Sequence, residues 1–304
     1  DVETIVGKNL SKRDWDLDGF RVLAEKDAAT ARMRGIGYAS YMSPDYPPLL
    51  REIWDPPSVL FYRGELPNPN QSLIAIVGTR EPSPPALSQA YTIAKDLARE
   101  GIPVVSGLAR GIDAMAHRGN SDGGAPTIAV LASGLDEVFP ALNRTLARRI
   151  MEQGGVLLSE YPPGTRPEKW HFPARNRIVS ALARGTLVVE APAVSGALIT
   201  ARFALEQGRD VWVASSGVDE KAPYAAQRGG TKKLAEEGAP VISSFKEILK
   251  EWGMTTHRED REYRENEAAP MKAEGFSASA LAFSLAQSLN ITCEELCRAK
   301  TKKQ

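Results

Sequence analysis

Short runs of apolar residues alternate with amphipathic segments through most of the chain, from residue 72 to about residue 250. The runs have the length and the branched side chains of buried β-strands, and the segments between them repeat their apolar residues with the period of a helix. We predict strands at 73–77, 104–106, 127–131, 156–158, 187–189, 211–214 and 241–242. We predict helices at 86–99, 112–118, 142–153, 176–183, 197–206 and 231–236.

The alternation of strand and helix predicts the fold class. Strands that are apolar along their whole length indicate a parallel sheet covered on both faces. Right-handed crossovers between such strands give an α/β, doubly wound, Rossmann-like domain with a mostly parallel sheet. A closed barrel is disfavoured, because the units are irregularly spaced and eight equivalent repeats are not visible. In an open sheet, ligands bind beyond the carboxyl ends of the strands, so the loops that follow the strands are the candidate sites.

The regions on either side of this pattern differ from it. Charged, moderately amphipathic segments before residue 41 predict helix, including one at 17–34, and a proline-rich stretch follows with a short strand at 59–62. The sequence Pro67-Asn68-Pro69-Asn70 is typical of a linker. We therefore predict a helical N-terminal region and connector at 1–66, the Rossmann-like domain at 67–252, a charged linker at 253–275 and a short helical C-terminal segment at 276–304.

The charge of the chain is balanced overall but uneven locally. The 304 residues carry a formal net charge of zero, so nucleic-acid binding would require a local basic patch. Such a patch lies between residues 164 and 184, where one acid, Glu168, stands among five basic residues: Arg166, Lys169, Arg175, Arg177 and Arg184. No apolar run approaches the roughly 20 residues of a membrane span, so no membrane association is expected.

The two cysteines, Cys293 and Cys297, lie four residues apart in a helical pattern without a neighbouring histidine. They are interpreted as small apolar residues on one helix face rather than as zinc ligands. Because no disulfide framework is visible, we expect a reducing compartment and a cytoplasmic protein.

The segment at 170–177 lies inside the basic patch and combines aromatic residues, a proline and two arginines. Pro173 suits the first turn of a helix, which would place Arg175, Asn176 and Arg177 where free backbone N–H groups already favour an anion. Cations at that end of a helix indicate that a negative ligand arrives from outside, and Phe172 would stack on a base. The alternative, a packed aromatic residue beside solvated arginines, stays open from this segment alone.

Glycine-containing turns with arginine or helix starts follow three of the predicted strands. They are Gly78-Thr79-Arg80, the segment from Ser106-Gly107 to Arg110-Gly111, and Ser195-Gly196. Backbone N–H groups at such turns bind phosphate, so three of them at one edge of a sheet predict a ligand with several phosphates. Neither the dinucleotide fingerprint nor the P-loop motif is present. Asp113 is predicted to cap free N–H groups rather than to act in catalysis.

Catalytic patterns are not visible. The chain lacks a legible Ser-His-Asp or Cys-His set, an H-E-x-x-H motif and a carboxylate-rich metal cluster, so we expect no enzyme activity, metal or cofactor. His117 and His171 are interpreted as packed polar residues. Arginines combined with exposed aromatic side chains favour single-stranded nucleic acid, since stacking contributes about 1–3 kcal/mol per base whatever the sequence.

Four ordered blocks of the chain resemble the DNA-processing protein A family, DprA, also called Smf. The blocks are AIVGTR at 75–80, VSGLARGIDAMAH at 105–117, FPARNRI at 172–178, and VVEA with SGALITA between 188 and 201. The resemblance extends from about residue 36 to 245. It implies a protein that binds single-stranded DNA without catalysing a reaction, forms a homodimer, and loads the RecA recombinase onto DNA in natural transformation.

The resemblance also implies roles for individual residues. Phosphates would be held by Arg80, Ser106, Gly107, Arg110 and Gly111, a base would stack on Phe172, and Arg175 and Arg177 would hold the DNA backbone. Lys169, Asn176, Ser195 and Gly196 complete the predicted DNA-binding set. Residues 1–40 are compatible with the family's sterile-alpha-motif-like domain, and 278–300 resembles the first two helices of a winged helix.

Two segments of the sequence depart from the family pattern, and one alternative function is considered beside it. Lys232 stands where the family has asparagine, and Ser215-Ser216-Gly217 stands where it often has Val-Pro-Gly. The alternative function is a nucleotide-processing enzyme, similar to the phosphoribohydrolases on a related fold, with Glu190 as the catalytic glutamate. That class carries P-G-G-x-G-T-x-x-E, which this chain lacks.

Overall fold

The computed structural model describes residues 17–219 and 225–256. The chain divides into a unit of residues 1–254 and a unit of residues 255–304, and only Thr255 and Thr256 of the second unit are described. The elements named below all belong to the first unit. The predicted C-terminal segment, the cysteines and nearly all of the predicted linker lie outside the described residues.

The strands are β1 Gly37–Ser40, β2 Val59–Arg63, β3 Ile74–Val77, β4 Val104–Ser106, β5 Ile128–Val130, β6 Val156–Ser159, β7 Gly185–Val188, β8 Asp210–Ala214 and β9 Val241–Ile242. The α-helices are α1 Leu17–Met33, α2 Pro48–Arg51, α3 Pro84–Arg99, α4 Ile112–Gly123, α5 Arg144–Glu152, α6 His171–Ala181, α7 Gly196–Glu206, α8 Gly229–Glu236 and α9 Phe245–Glu251. Short 3₁₀ turns lie at Ala141–Asn143, Ser215–Gly217 and Ala225–Gln227.

All strands join one sheet in the order β1-β2-β6-β5-β4-β3-β7-β8-β9. Neighbouring strands are parallel throughout the part of the sheet ordered β6-β5-β4-β3-β7-β8-β9. The pairs β1–β2 and β2–β6 are antiparallel. The predicted α/β, mostly parallel fold is therefore confirmed. The strand order reverses between β3 and β7, and this reversal is the point at which open α/β sheets bind their ligands.

The centre of the sheet is buried on both faces, because its strands carry mostly apolar residues. In β3, Ala75 and Val77 face one hydrophobic core and Ile74 and Ile76 face another. Side chains alternate between the faces of a strand, so a continuous apolar run fills two cores at once. This arrangement explains why the central strands lack the polar alternation of a half-exposed sheet.

The predicted strands of the central domain lie within two residues of the observed bounds at each end, and the predicted helices differ more. Helix α6 begins at His171, five residues before the predicted start at 176, which places Pro173 in the first turn as the segment at 170–177 predicts. The prediction did not include β1 or α9. The sheet also crosses the boundary predicted at residue 66, because β1 and β2 pair into it next to β6.

His117 shows how a polar residue is accommodated under the sheet. It is fully buried on α4, and its Nδ1 lies 2.8 Å from Thr127 Oγ1, whose proton goes to the carbonyl oxygen of Val104. The threonine oxygen is therefore the acceptor and His117 Nδ1 carries the proton. This placement confirms the interpretation of His117 as a packed polar residue. Burial lowers the pKa of His117 to about 3.

We expect the stability of the protein to decline in mild acid because of His117. The unfolded chain takes up a proton at its ordinary pKa of about 6.5, whereas the folded protein resists protonation down to about pH 3. The free energy of unfolding should then be unaffected above pH 6.5 and fall by about 1.4 kcal/mol per pH unit below it. Urea unfolding measures the free energy of unfolding of the wild type and of His117→Asn between pH 7 and about pH 5. The wild-type value should fall more steeply with decreasing pH than that of His117→Asn. Parallel pH profiles of the two proteins would contradict the prediction.

Candidate nucleic-acid interface

A cavity of about 490 Å³ opens at the carboxyl edge of the sheet, at the reversal between β3 and β7. Its walls come from the loops after β3, β4 and β7 and from the first turns of α6 and α7. Eight of the twelve predicted site residues line it: Arg80, Gly107, Arg110, Phe172, Arg175, Asn176, Ser195 and Gly196. Residues from four separate parts of the sequence therefore meet where the topology places a ligand.

Two exposed arginines stand at this cavity. Arg80 follows β3, and Arg110 lies in the loop before α4. Neither guanidinium forms an ion pair with a carboxylate among the residues that the structure describes. Both charges are available to a ligand from solution.

An aromatic ring lies beside these charges. Phe172 is half-buried in the first turn of α6, and the Arg80 guanidinium carbon lies 5.6 Å from the centre of its ring. This cation–π contact holds Arg80 across the face of the ring without neutralising its charge. A phosphate group and an aromatic ring of one ligand can thus be bound side by side.

A carboxylate in the first turn of α4 holds the loop after β4. Asp113 Oδ2 accepts hydrogen bonds from the backbone N–H groups of Gly107, at 3.2 Å, and Ala109, at 3.3 Å. The structural role predicted for Asp113 is confirmed, and two N–H groups of the predicted phosphate cradle are occupied by it. Burial raises the pKa of Asp113, and the charge of Arg175 opposes that rise. Gly111 is required here by its φ of 79°, and a Cβ would overlap the carbonyl oxygen of Thr79.

Arg175 lies at the back of the cavity rather than at its mouth. The residue is 5% exposed, and its Nη1 donates to the carbonyl oxygens of Gly107, at 2.8 Å, and Val130. It therefore connects the loop after β4 to the carboxyl end of β5. Burial lowers its pKa to about 10. A side chain predicted as a phosphate clamp is, in the structure, an internal brace of the cavity wall.

Four predicted residues do not line the cavity. Arg177 donates to both carboxylate oxygens of Glu160, at 2.8 and 2.7 Å, and also pairs with Asp55. The hydroxyl of Ser106 is buried and donates to the carbonyl oxygen of Ile76 at 2.6 Å. Arg177 and Ser106 are thus committed to partners inside the protein, which sequence patterns do not reveal. Lys169 is exposed outside the cavity, and Gly111 shapes its loop.

The turn before α7 is joined to α6. The Ser195 side chain accepts a hydrogen bond from Ala197 N at 3.2 Å and so caps α7. Asn176 Nδ2 donates to the carbonyl oxygen of Gly196 at 3.0 Å. These contacts fix the N-terminus of α7, with its positive helix dipole, at the cavity wall.

Glu190 is buried beside the cavity and not within it. Its carboxylate accepts from Ser83 N at 2.7 Å, from Ser83 Oγ at 2.8 Å and from Arg228 Nε at 3.1 Å. Its charged partner, Arg228, lies outside the basic patch at 164–184. A fully buried carboxylate in a buried ion pair is also unsuited to the catalytic role of the alternative function.

Sequence reasoning missed two residues around this site, Arg228 and Phe139. Phe139, in the loop after β5, is 47% exposed and lies with its ring centre 5.8 Å from that of Phe172. Its position after a strand was an available signal. In the described part of the chain, no helix is long and apolar enough to cross a membrane, and no cluster of three or more His, Cys, Asp or Glu residues is placed to hold a metal.

The fold and the cavity define a Rossmann-like protein with an arginine- and aromatic-lined site at the reversal of its sheet. The chain belongs to the family described as DNA recombination-mediator protein A, whose model matches residues 37–253. The resemblance to DprA and Smf is thereby confirmed.

Relatives and solved structures agree with this membership. The chain is 42% identical to the DNA processing protein DprA of Bacillus subtilis over 237 residues, which are 78% of each chain. It is 44% identical to protein Smf of Synechocystis over 214 residues, 69% of this chain and 52% of that protein. The structure of DprA from Streptococcus pneumoniae aligns with a TM-score of 0.66 at 36% identity, covering 76% of this chain and 79% of that one. A structure concerning the single-stranded DNA binding mode of the Helicobacter pylori protein aligns with a TM-score of 0.61 at 27% identity, covering 71% and 95%.

Proposed function

We propose that this protein binds single-stranded DNA in the cavity at the β3–β7 reversal, without chemical turnover, and delivers the bound strand to the RecA recombinase as a homodimer. The observation that carries DNA binding is the contact between Arg80 and Phe172, beside the exposed Arg110. Stacking on an aromatic ring combined with arginine contacts to phosphates is how proteins bind single strands with little sequence preference. The Helicobacter pylori relative, studied for its single-stranded DNA binding mode, supports the same ligand class.

The geometry favours different roles for the predicted residues. Arg80 and Arg110 bind phosphates, Phe172 stacks on a base, and the N-terminus of α7 at Ser195-Gly196 receives a further phosphate. Arg175 acts indirectly by holding the cavity wall. Ser106 and Arg177 are left out of the proposed contacts because the protein itself satisfies their polar atoms. Delivery to RecA and dimer formation rest on the family.

Phe172→Ala is expected to weaken binding of a labelled oligothymidylate by about 1–3 kcal/mol, the contribution of one stacked base. The dependence of affinity on salt should stay as in the wild type, since no phosphate contact is removed. Arg80→Ala should instead make the affinity depend less steeply on salt concentration, because one counterion fewer is released from the DNA on binding. Fluorescence anisotropy titrations at several salt concentrations measure both quantities.

Phe20→Ala serves as a matched control, because Phe20 is an exposed phenylalanine on α1 and does not line the cavity. It should bind as the wild type does. Equal affinities of the wild type and Phe172→Ala would remove the stacking role, and binding to duplex that equals binding to single strands would refute the proposed ligand. Steady release of base from nucleoside monophosphates would favour the enzyme alternative instead.

A further inference from the structure

The loops at the carboxyl edge of the sheet follow the strand order across the molecule. Strands β7, β3, β4, β5 and β6 are neighbours in that order, and the cavity takes its lining from the segments that follow β7, β3, β4 and β6. The loop after β5, between Val130 and the 3₁₀ turn at Ala141–Asn143, contributes no residue to the cavity. It nevertheless lies at the same edge, because β5 is parallel to β4 and β6.

That loop presents an aromatic ring toward the site. Phe139 and Phe172 have ring centres 5.8 Å apart and planes inclined by 58°, which is a direct tilted contact. Phe139 stays 47% exposed although it touches Phe172. Leu142, three residues farther on, is also exposed. The apolar surface therefore continues from the cavity mouth onto the β5 loop.

We propose that Phe139 is a second stacking platform for single-stranded DNA, so that the strand leaves the cavity over Phe172 and continues across the β5 loop. The inference rests on the proposed function, since it extends the same site. The two rings are in contact, so no base fits between them, and the exposed part of each ring would contact a different base. A strand bound by phosphate contacts at Arg80 and Arg110 then carries successive bases past both rings.

The competing role for Phe139 is to hold Phe172 in its orientation. A double-mutant cycle separates the two roles, because a residue that acts only through Phe172 has no effect once Phe172 is absent. A second platform binds its own base and keeps most of its effect in that background. The cycle compares the wild type, Phe139→Ala, Phe172→Ala and the double variant.

Phe139→Ala is expected to reduce affinity for a long oligothymidylate about tenfold, in the wild type and again in the Phe172→Ala background. With oligothymidylates shortened step by step, the Phe139→Ala and wild-type affinities should converge, because the shortest strands do not reach the β5 loop. Phe20→Ala, with a phenylalanine of 57% exposure away from the site, should bind as the wild type does at every length. Circular dichroism verifies that each variant is folded.

The outcomes distinguish this inference from the proposed function. A loss of affinity in Phe172→Ala with no further loss in the double variant would overturn the second platform and leave the cavity as the DNA site. A Phe139→Ala effect that is equal at all strand lengths would likewise assign Phe139 a positioning role. If neither substitution changes the affinity, bases do not stack on this surface. The proposed function would then lose the Phe172 contact from which it is argued.

Discussion

Arg175→Met is expected to lower the free energy of unfolding by about 3–5 kcal/mol, because two hydrogen bonds from a buried charged group are lost and each contributes about 1.5–3 kcal/mol. The buried guanidinium donates to the carbonyl oxygens of Gly107 and Val130 and offsets the charge of the buried Asp113. Methionine fills much of the same space, but it leaves both carbonyl groups without their donor and removes the positive charge near Asp113. Urea unfolding followed by circular dichroism measures the difference.

Arg80→Met is the matched control for Arg175→Met, because it removes an exposed arginine of the same cavity. Its effect on stability should stay within about 0.5 kcal/mol, as for most surface substitutions. Adding Asp113→Asn to Arg175→Met should recover part of the loss, since the uncompensated carboxylate is then neutral. If Arg175→Met unfolds at the same urea concentration as Arg80→Met, the guanidinium does not brace the wall.

Glu190→Ala is expected to cost a similar 3–5 kcal/mol of stability. Glu190 joins three segments, because its carboxylate accepts from Ser83 at the start of α3 and from Arg228 before α8, while its own carbonyl oxygen accepts from Thr79 N at 2.7 Å. Alanine removes the carboxylate that faces the buried Arg228 charge and the Ser83 N–H group. The loop that carries Arg80 is thereby loosened, so DNA affinity should decline together with stability.

The control for Glu190→Ala is Glu81→Ala, an exposed glutamate of the same loop, for which little change in stability is expected. Replacing both members of the pair, as Glu190→Ala with Arg228→Met, should be less damaging than Glu190→Ala alone. Urea unfolding of Glu190→Ala, Arg228→Met, the double variant and Glu81→Ala gives the four stabilities to be compared. A double variant that is as unstable as the sum of its two single variants would show that the two charges do not interact.

The fold was predictable because its signal is local. Each central strand is a short, mostly apolar run, and the turns after β3 and β4 carry glycines at positions where a Cβ would overlap neighbouring atoms. Strand β1 was not predicted because only one of its four residues is buried, so it lacks an apolar run. Its place is determined by pairing with β2, which is a long-range contact.

The role of each arginine was not predictable, because it depends on contacts distant in sequence. Arg175 and Arg177 stand two residues apart in one motif, but Arg175 bonds to residues 68 and 45 positions away, whereas Arg177 pairs with Glu160. Among the residues that the structure describes, Arg80 meets no such partner, and it stays exposed beside Phe172. Residue type indicated an anion-binding region, and tertiary packing decided which guanidinium faces it.

The two edges of the sheet affect how copies of this chain can associate. The edge strands among the described residues are β1, with four residues, and β9, with two. So short an edge offers few unpaired backbone groups, which protects a sheet against strand-by-strand extension by another chain. A homodimer of this protein would therefore gain little from intermolecular β-pairing. Its subunits would have to associate through side chains on the covering helices and loops, which would leave the carboxyl edge of each sheet open to the DNA strand proposed to bind there.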